Sequence, residues 1–424
     1  MCYGSTLNPS RASTFDEETS ATNESVDTQL SHLLSIRPEV STSSFVEQQQ
    51  QAANPLDLPP RLRLIGYGTC GKVFSRDDST IVLKAALVQS DQLWNDYIMG
   101  TAVCEAFDRH PKISVHVPRP HYFIDSTKSG EEENIWWANN DSHFPKAVDI
   151  PSDVLSIEKI PPLPHVIRNK LIEKYCPTKV LPAAREAPGN KDCLVRLYMG
   201  KRRDPTRRPS RFFSLRNFNM CLDQMEDLKL EVGIFAACMG HALAIMHWDA
   251  KIDADDVEFV LGCAPVNTYD SSTIPNYLSG QRLAEITSYG TRKSTFREFN
   301  GAQDATAARN LTKSHVNMWL LDFNRCHSIT MNQEGVQKSV DAFFRNDPYF
   351  PRPVMKQSSD QEAWLIFRDC YLETSKGCLE DMETKIQELP GNFIKGVVAE
   401  QQRRCEIKVA WLTNAEEHNS LPPV

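Results

Sequence analysis

Three glycines at G-x-G-x-x-G spacing, in Gly66-Tyr67-Gly68-Thr69-Cys70-Gly71-Lys72-Val73, are the first residues whose types and spacing suggest chemistry. Glycine has no Cβ, so such a run permits a tight turn and lets backbone N–H groups come close to a phosphate. The same spacing occurs in dinucleotide-binding turns, but there a helix opens directly after the glycines. Here Val73-Phe74 and Ile81-Val82-Leu83 continue as strands across a polar turn at residues 76–80, so a hairpin covering a phosphate is the expected arrangement. Lys84 sits on the second of these strands, thirteen residues after Gly71, as a cation for that phosphate. Read alone, a Lys closing an amphipathic strand is equally an ordinary snorkelling residue.

Two further stretches carry acids. One runs from His247 through Asp253, Asp255 and Asp256 to Glu258, after an apolar helical segment, and continues into Phe259-Val260-Leu261. The other, Leu320-Leu321-Asp322-Phe323-Asn324, ends a short apolar strand in an acid, which burial penalises unless a metal or hydrogen bonds satisfy it. In this order the region from about residue 60 to 330 resembles the protein-kinase-like superfamily, including its small-molecule phosphotransferases. The resemblance implies a two-lobed α+β fold: a small β-rich lobe over residues 58–160 and a larger helical lobe over 161–410, joined near Glu158–Pro164. It implies ATP and Mg²⁺ as cofactors, with Gly66, Gly68 and Gly71 above the phosphates, Lys84 beside them and Glu105 as the helical partner of Lys84. Asp253, with Asp255 as its rival, would accept the substrate hydroxyl proton, and Glu258 and Asp322 would hold the metal.

The chain departs from that pattern at several points. Lys251-Ile252-Asp253 stands where His-Arg-Asp is usual, Glu258 takes the place of a metal-binding Asn, and Asn324 that of a Gly. Residues 264–313, rich in Ser, Thr, Asn and Gly, read as an insertion, as does the region 176–216. A degenerate, pseudokinase-like protein that binds a nucleotide or a protein partner in a regulatory role is the expectation; an active ATP- and Mg²⁺-dependent phosphotransferase is the alternative.

The phrases HALAIMHWDAKIDADDVEFVLG, WLLDFNRC and AFFRNDPYFPRP also resemble, over roughly residues 195–355, a family of uncharacterised fungal proteins, a domain of unknown function often labelled zinc finger protein. That label would imply a zinc-dependent DNA-binding regulator. The 12 cysteines are scattered, with no closely spaced pair to build a tetrahedral site, so no structural zinc is expected.

Composition bounds the rest. A formal charge of -8 argues against a general nucleic-acid binder. No apolar run reaches membrane-spanning length and the first residues lack a signal-peptide pattern, so a cytoplasmic or nuclear protein without membrane contact is expected. Residues 1–54, rich in Ser, Thr and Gln, read as a disordered tail, in which the apolar island Leu30–Ile36 has a helical turn or a docking motif as its alternative reading; residues 411–424 read as a frayed tail. The basic stretch 201–216 suits a nuclear signal, an anion site or a solvated loop. The elements that must position the acids and the lysine are a helix over 90–110, a core helix over 228–248 and a buried strand at 318–323.

Overall fold

The computed structural model describes residues 24–37, 61–264 and 316–419, apart from residues 78, 88–90, 128–129, 147, 149, 207–211 and 347. It is a mixed α+β structure with two five-stranded sheets. The expected insertion at 264–313 lies outside the described residues but for its first position, and so does Ser90, an expected helix cap.

The first sheet is antiparallel, in the order β1-β2-β3-β6-β5. Its strands are β1 (Arg63–Tyr67), β2 (Gly71–Ser75), β3 (Ile81–Ala86), β5 (Pro120–Ile124) and β6 (Val154–Glu158). Alternation along a strand sends neighbouring side chains to opposite faces. Leu83 and Ala85 pack on one face with Phe74, Ile124 and Val154, under Trp136, Trp137 and Phe144 from α3 (Glu131–Asn140) and the turn after it. Phe123 and Leu155 point the other way, against Leu93, Tyr97 and Ile98 of α2 (Asp91–Asp108). Lys84, between Leu83 and Ala85, therefore faces α2. At Gly71 an added Cβ would lie 2.8 Å from Ala85 O, so β2 and β3 close only around a glycine.

The second sheet has the order β4-β10-β9-β7-β8. Its members are β4 (Val115–His116), β7 (Val195–Tyr198), β8 (Phe218–Cys221), β9 (Glu258–Cys263) and β10 (Val316–Leu321). The short β4 falls inside the stretch expected to form only the first lobe, yet it pairs in parallel with β10. After β6 the chain runs through Pro161-Pro162, where Pro161 O accepts from Cys263 N at 2.8 Å, and then enters α4 (His165–Tyr175). Short helices α5 (Leu181–Glu186) and α6 (Leu222–Asp227) flank β7 and β8.

Helix α7 (Val232–Trp248) is buried along most of its length, as its apolar residues on nearly all faces require. Helix α8 (Gln333–Arg345) precedes α9 (Ser358–Cys378), which crosses α7 so closely that a Cβ on Gly240 would lie 2.4 Å from Phe367 O. At the end of α7 the Tyr371 hydroxyl takes the Trp248 Nε1–H at 2.9 Å and meets His247 Nδ1 at 2.9 Å. The short α10 (Thr384–Gln387) leads into the long α11 (Leu389–Asn419). Among the described residues no helix is long and apolar enough to cross a membrane.

One stretch departs from the expected N-terminal tail. Residues Val26–Leu33 form α1, capped by the Ser25 side chain, with Leu30 and Leu34 fully buried in the main core. Lys174 of α4 pairs with Asp27, and Glu231 takes Arg37 and the Ser35 hydroxyl. Residues 1–23 and 38–60 lie outside the described residues. The basic stretch is also absorbed in part: Arg202 pairs with Glu226 and Asp360, and Arg203 with Asp223 and Asp227.

Candidate functional site

A cavity of about 210 Å³ opens between the two sheets. The β1–β2 hairpin forms its roof with Gly66, Gly68, Cys70 and Gly71, while Lys84, Glu258 and Asp322 line it from β3, β9 and the residue after β10. The glycines differ in their reason for being there. Gly71 is demanded by packing, whereas a Cβ on Gly68 would meet only Gly71 O at 3.8 Å. Gly68 is thus not required by the fold, and its bareness leaves room in the cavity.

Lys84 is the hub. Its Nζ donates to Asp96 Oδ2 at 2.8 Å and to Asp322 Oδ1 at 2.9 Å. Burial pushes the ammonium down, but Asp322 and Asp96 outweigh it and hold Lys84 well above its ordinary value. Burial pushes the Asp96 carboxyl up, against the pull of Lys84. Asp96 Oδ1 accepts from Phe323 N at 2.9 Å, and Asn95 Nδ2 donates to Asn324 O and Cys326 O, so α2 clamps the segment that carries Asp322. Asp322 itself has φ 68°, a left-handed conformation that strains most side chains and that Asp tolerates better than most.

The partner of Lys84 is therefore Asp96, and not the expected Glu105. The reason is helical geometry. Nine residues at 100° each turn Glu105 to the face opposite Asp96. Glu105 points away, its Oε1 buried without a hydrogen-bond partner and its carboxyl raised by burial. The sequence did carry a signal for Asp96: with Leu93, Tyr97 and Gly100 it occupies the apolar stripe of the helix, where a lone charge calls for a partner.

Glu258 lies in the cavity wall, its Oε2 2.8 Å from Arg196 Nη2 on β7. Burial, opposed by Arg196 and reinforced by Asp322 and Asp256, raises its carboxyl to about 7. Between pH 4.5 and 7 the native state thus keeps a proton that the unfolded chain has lost. Stability should fall as pH rises through this window, by on the order of 3 kcal/mol, and level off above it. Glu258→Gln should flatten the melting temperature across pH 5 to 7.5; an unchanged slope would assign the titration to another group.

Asp253 is placed differently from the expected proton acceptor. It is not among the residues lining the cavity. Its Oδ1 accepts from His327 N at 2.8 Å and Asp255 N at 3.2 Å, and burial raises its carboxyl against those bonds. Lys251, Ala254 and Asp256 all have positive φ, so Asp253 pins a strained turn to the segment after β10. Asp255, its rival, is held by Arg345 Nε at 3.0 Å. Asp256 is the more open acid of this loop, 3.7 Å from Arg325. Sequence reading passed over Arg196 because an isolated Arg on a short strand carries no spacing signal.

Among the described residues no group of three or more His, Cys, Asp or Glu side chains is arranged to hold a metal ion. A family model described as a zinc finger protein matches residues 318–383, which run from β10 through Asp322 and α8 to just past α9. Within that stretch the Cys326 thiol is buried and donates to Asp255 O at 3.4 Å, and the Cys378 thiol lies 3.8 Å from His110 Nε2. Comparison with curated proteins and with solved structures gives no match. The chain is thus similar, over one segment that includes Asp322, to a domain family of unknown function.

Proposed function

We propose that this protein binds a nucleotide 5′-polyphosphate in the cavity between its sheets and acts as a degenerate, pseudokinase-like regulator. The observation that carries the reading is Lys84, held between Asp96 and Asp322 beneath a hairpin whose Gly68 the fold does not require. A lysine fixed at the back of a cleft beneath a roof lined by glycines suits a chain of phosphates. Mg²⁺ is commonly held by one or two carboxylates together with phosphate oxygens, and Asp322 and Glu258 supply that hard-oxygen set. The ion would neutralise phosphate charge there.

The position of Asp253 favours binding over transfer. A general base must reach the proton that it takes, and Asp253 is not among the cavity-lining residues, its Oδ1 accepting from two backbone amides and its Oδ2 lying 3.4 Å from His327 Nδ1. The zinc-dependent reading has no ligand cluster among the described residues to support it.

The test is a thermal-shift titration of the full chain with Mg-ATP. At a hundredfold excess over Kd, stabilisation should reach about 2.7 kcal/mol. Gly68→Val should lose most of the shift while melting near wild type without ligand. No shift for wild type at millimolar Mg-ATP would end the nucleotide reading. Steady phosphate transfer, lost in Asp253→Asn at undiminished binding, would restore the active phosphotransferase.

A further inference from the structure

The mouth of the same cavity holds a further cation with no assigned role. Arg216 and Asn217, from the loop before β8, line the cavity beside Asp192 and Leu194. Arg216 Nη2 reaches Leu64 O on β1 at 3.4 Å, while its Nε is buried without any hydrogen-bond partner. Asp192 is held by Arg63 through both oxygens, Nη2 to Oδ1 at 2.9 Å and Nη1 to Oδ2. Among the described residues no carboxylate pairs with Arg216. A buried guanidinium donor left unmatched is costly, and a ligand acceptor would relieve that cost.

Sheet register locates this cation relative to Lys84. Leu64 pairs with Phe74, and Phe74 with Leu83, the residue before Lys84. Arg216 thus docks level with Lys84 but two strands away, which at the usual spacing is roughly 10 Å across the sheet. A triphosphate reaches both ends of such a span only when it lies extended along it. A nucleotide whose phosphates lie at Lys84 and whose sugar lies at the mouth places phosphate and sugar at the two ends.

We propose that the mouth is a subsite for a second anionic group, a phosphate on the sugar of the bound nucleotide, and that Arg216 is the residue that selects it. A planar guanidinium with unmatched donors suits a phosphate better than a hydroxyl, because charge-assisted pairs are the stronger ones. This inference rests on the nucleotide reading above and goes further by naming the ligand's second charge.

The experiment is isothermal titration of the full chain with ADP, adenosine 2′-phosphate 5′-diphosphate and adenosine 3′-phosphate 5′-diphosphate. One of the two sugar-phosphorylated ligands should bind wild type roughly tenfold more tightly than ADP. Arg216→Gln should bring that ratio close to one, and Arg216→Lys should keep part of it. Equal affinities for all three ligands in wild type would overturn the subsite, as would a preference that survives in Arg216→Gln. Failure to bind any of the three would instead overturn the nucleotide reading itself.

Discussion

Replacing Lys84 with Met is expected to cost about 3–5 kcal/mol of stability, apart from any effect on binding. The ammonium is the shared cation of two carboxylates at 2.8 and 2.9 Å, and the Asp96 side chain is only 4% exposed. Taking it away leaves Asp96 buried beside Asp322 with like charges facing each other. Asp96 would then favour its protonated form still more. Because a raised carboxyl penalises the charged state, the deficit should grow as pH rises and shrink as pH falls. Adding Asp96→Asn to Lys84→Met should recover part of the loss, since the amide oxygen can still accept from Phe323 N. Denaturant unfolding of the two single variants and the double variant gives the coupling directly. A Lys84→Met protein as stable as wild type would mean that these charges are not paired in solution.

Gly240→Val should destabilise by about 3 kcal/mol or more, at or beyond the usual upper end for an overpacked core. The obstacle is backbone, since a Cβ at this position would lie 2.4 Å from Phe367 O and 3.1 Å from Tyr371 N, so α7 and α9 would have to part. Separation would also disturb Tyr371, whose hydroxyl joins Trp248 and His247 at the start of the loop that carries Asp253. Gly377, near the end of α9, is the control. An added Cβ there meets nothing within 4 Å. Gly377→Ala should therefore stabilise by roughly 0.5–1 kcal/mol through helix propensity alone. Equal effects at the two glycines would refute the close crossing.

Much of the frame was legible in the residues themselves. Alternation and turn chemistry located β1, β2, β3, β6 and β10, and α7 followed from its near-continuous apolar run. Those signals are local, being periods of two and 3.6 within one segment. The same locality explains the misses. Strand β4 has two residues, too few for a period to show, and it is recruited by β10 some two hundred residues away. Helix α1 lies in a polar, acidic stretch, and only the groove it fills makes Leu30 and Leu34 worth burying.

By itself the sequence determined that a glycine hairpin, a strand lysine and a strand-terminal acid occur in that order. It also determined that Asp96 and Glu105 cannot share a face of one helix, because nine residues amount to two and a half turns. Only the tertiary structure decided which acid meets Lys84, that Asp253 ties its loop to the segment after β10, and that Arg196 and Arg216 reach the cavity. Hydrogen bonds and ion pairs between residues 74 to 238 positions apart depend on how elements pack, and no local pattern encodes that distance.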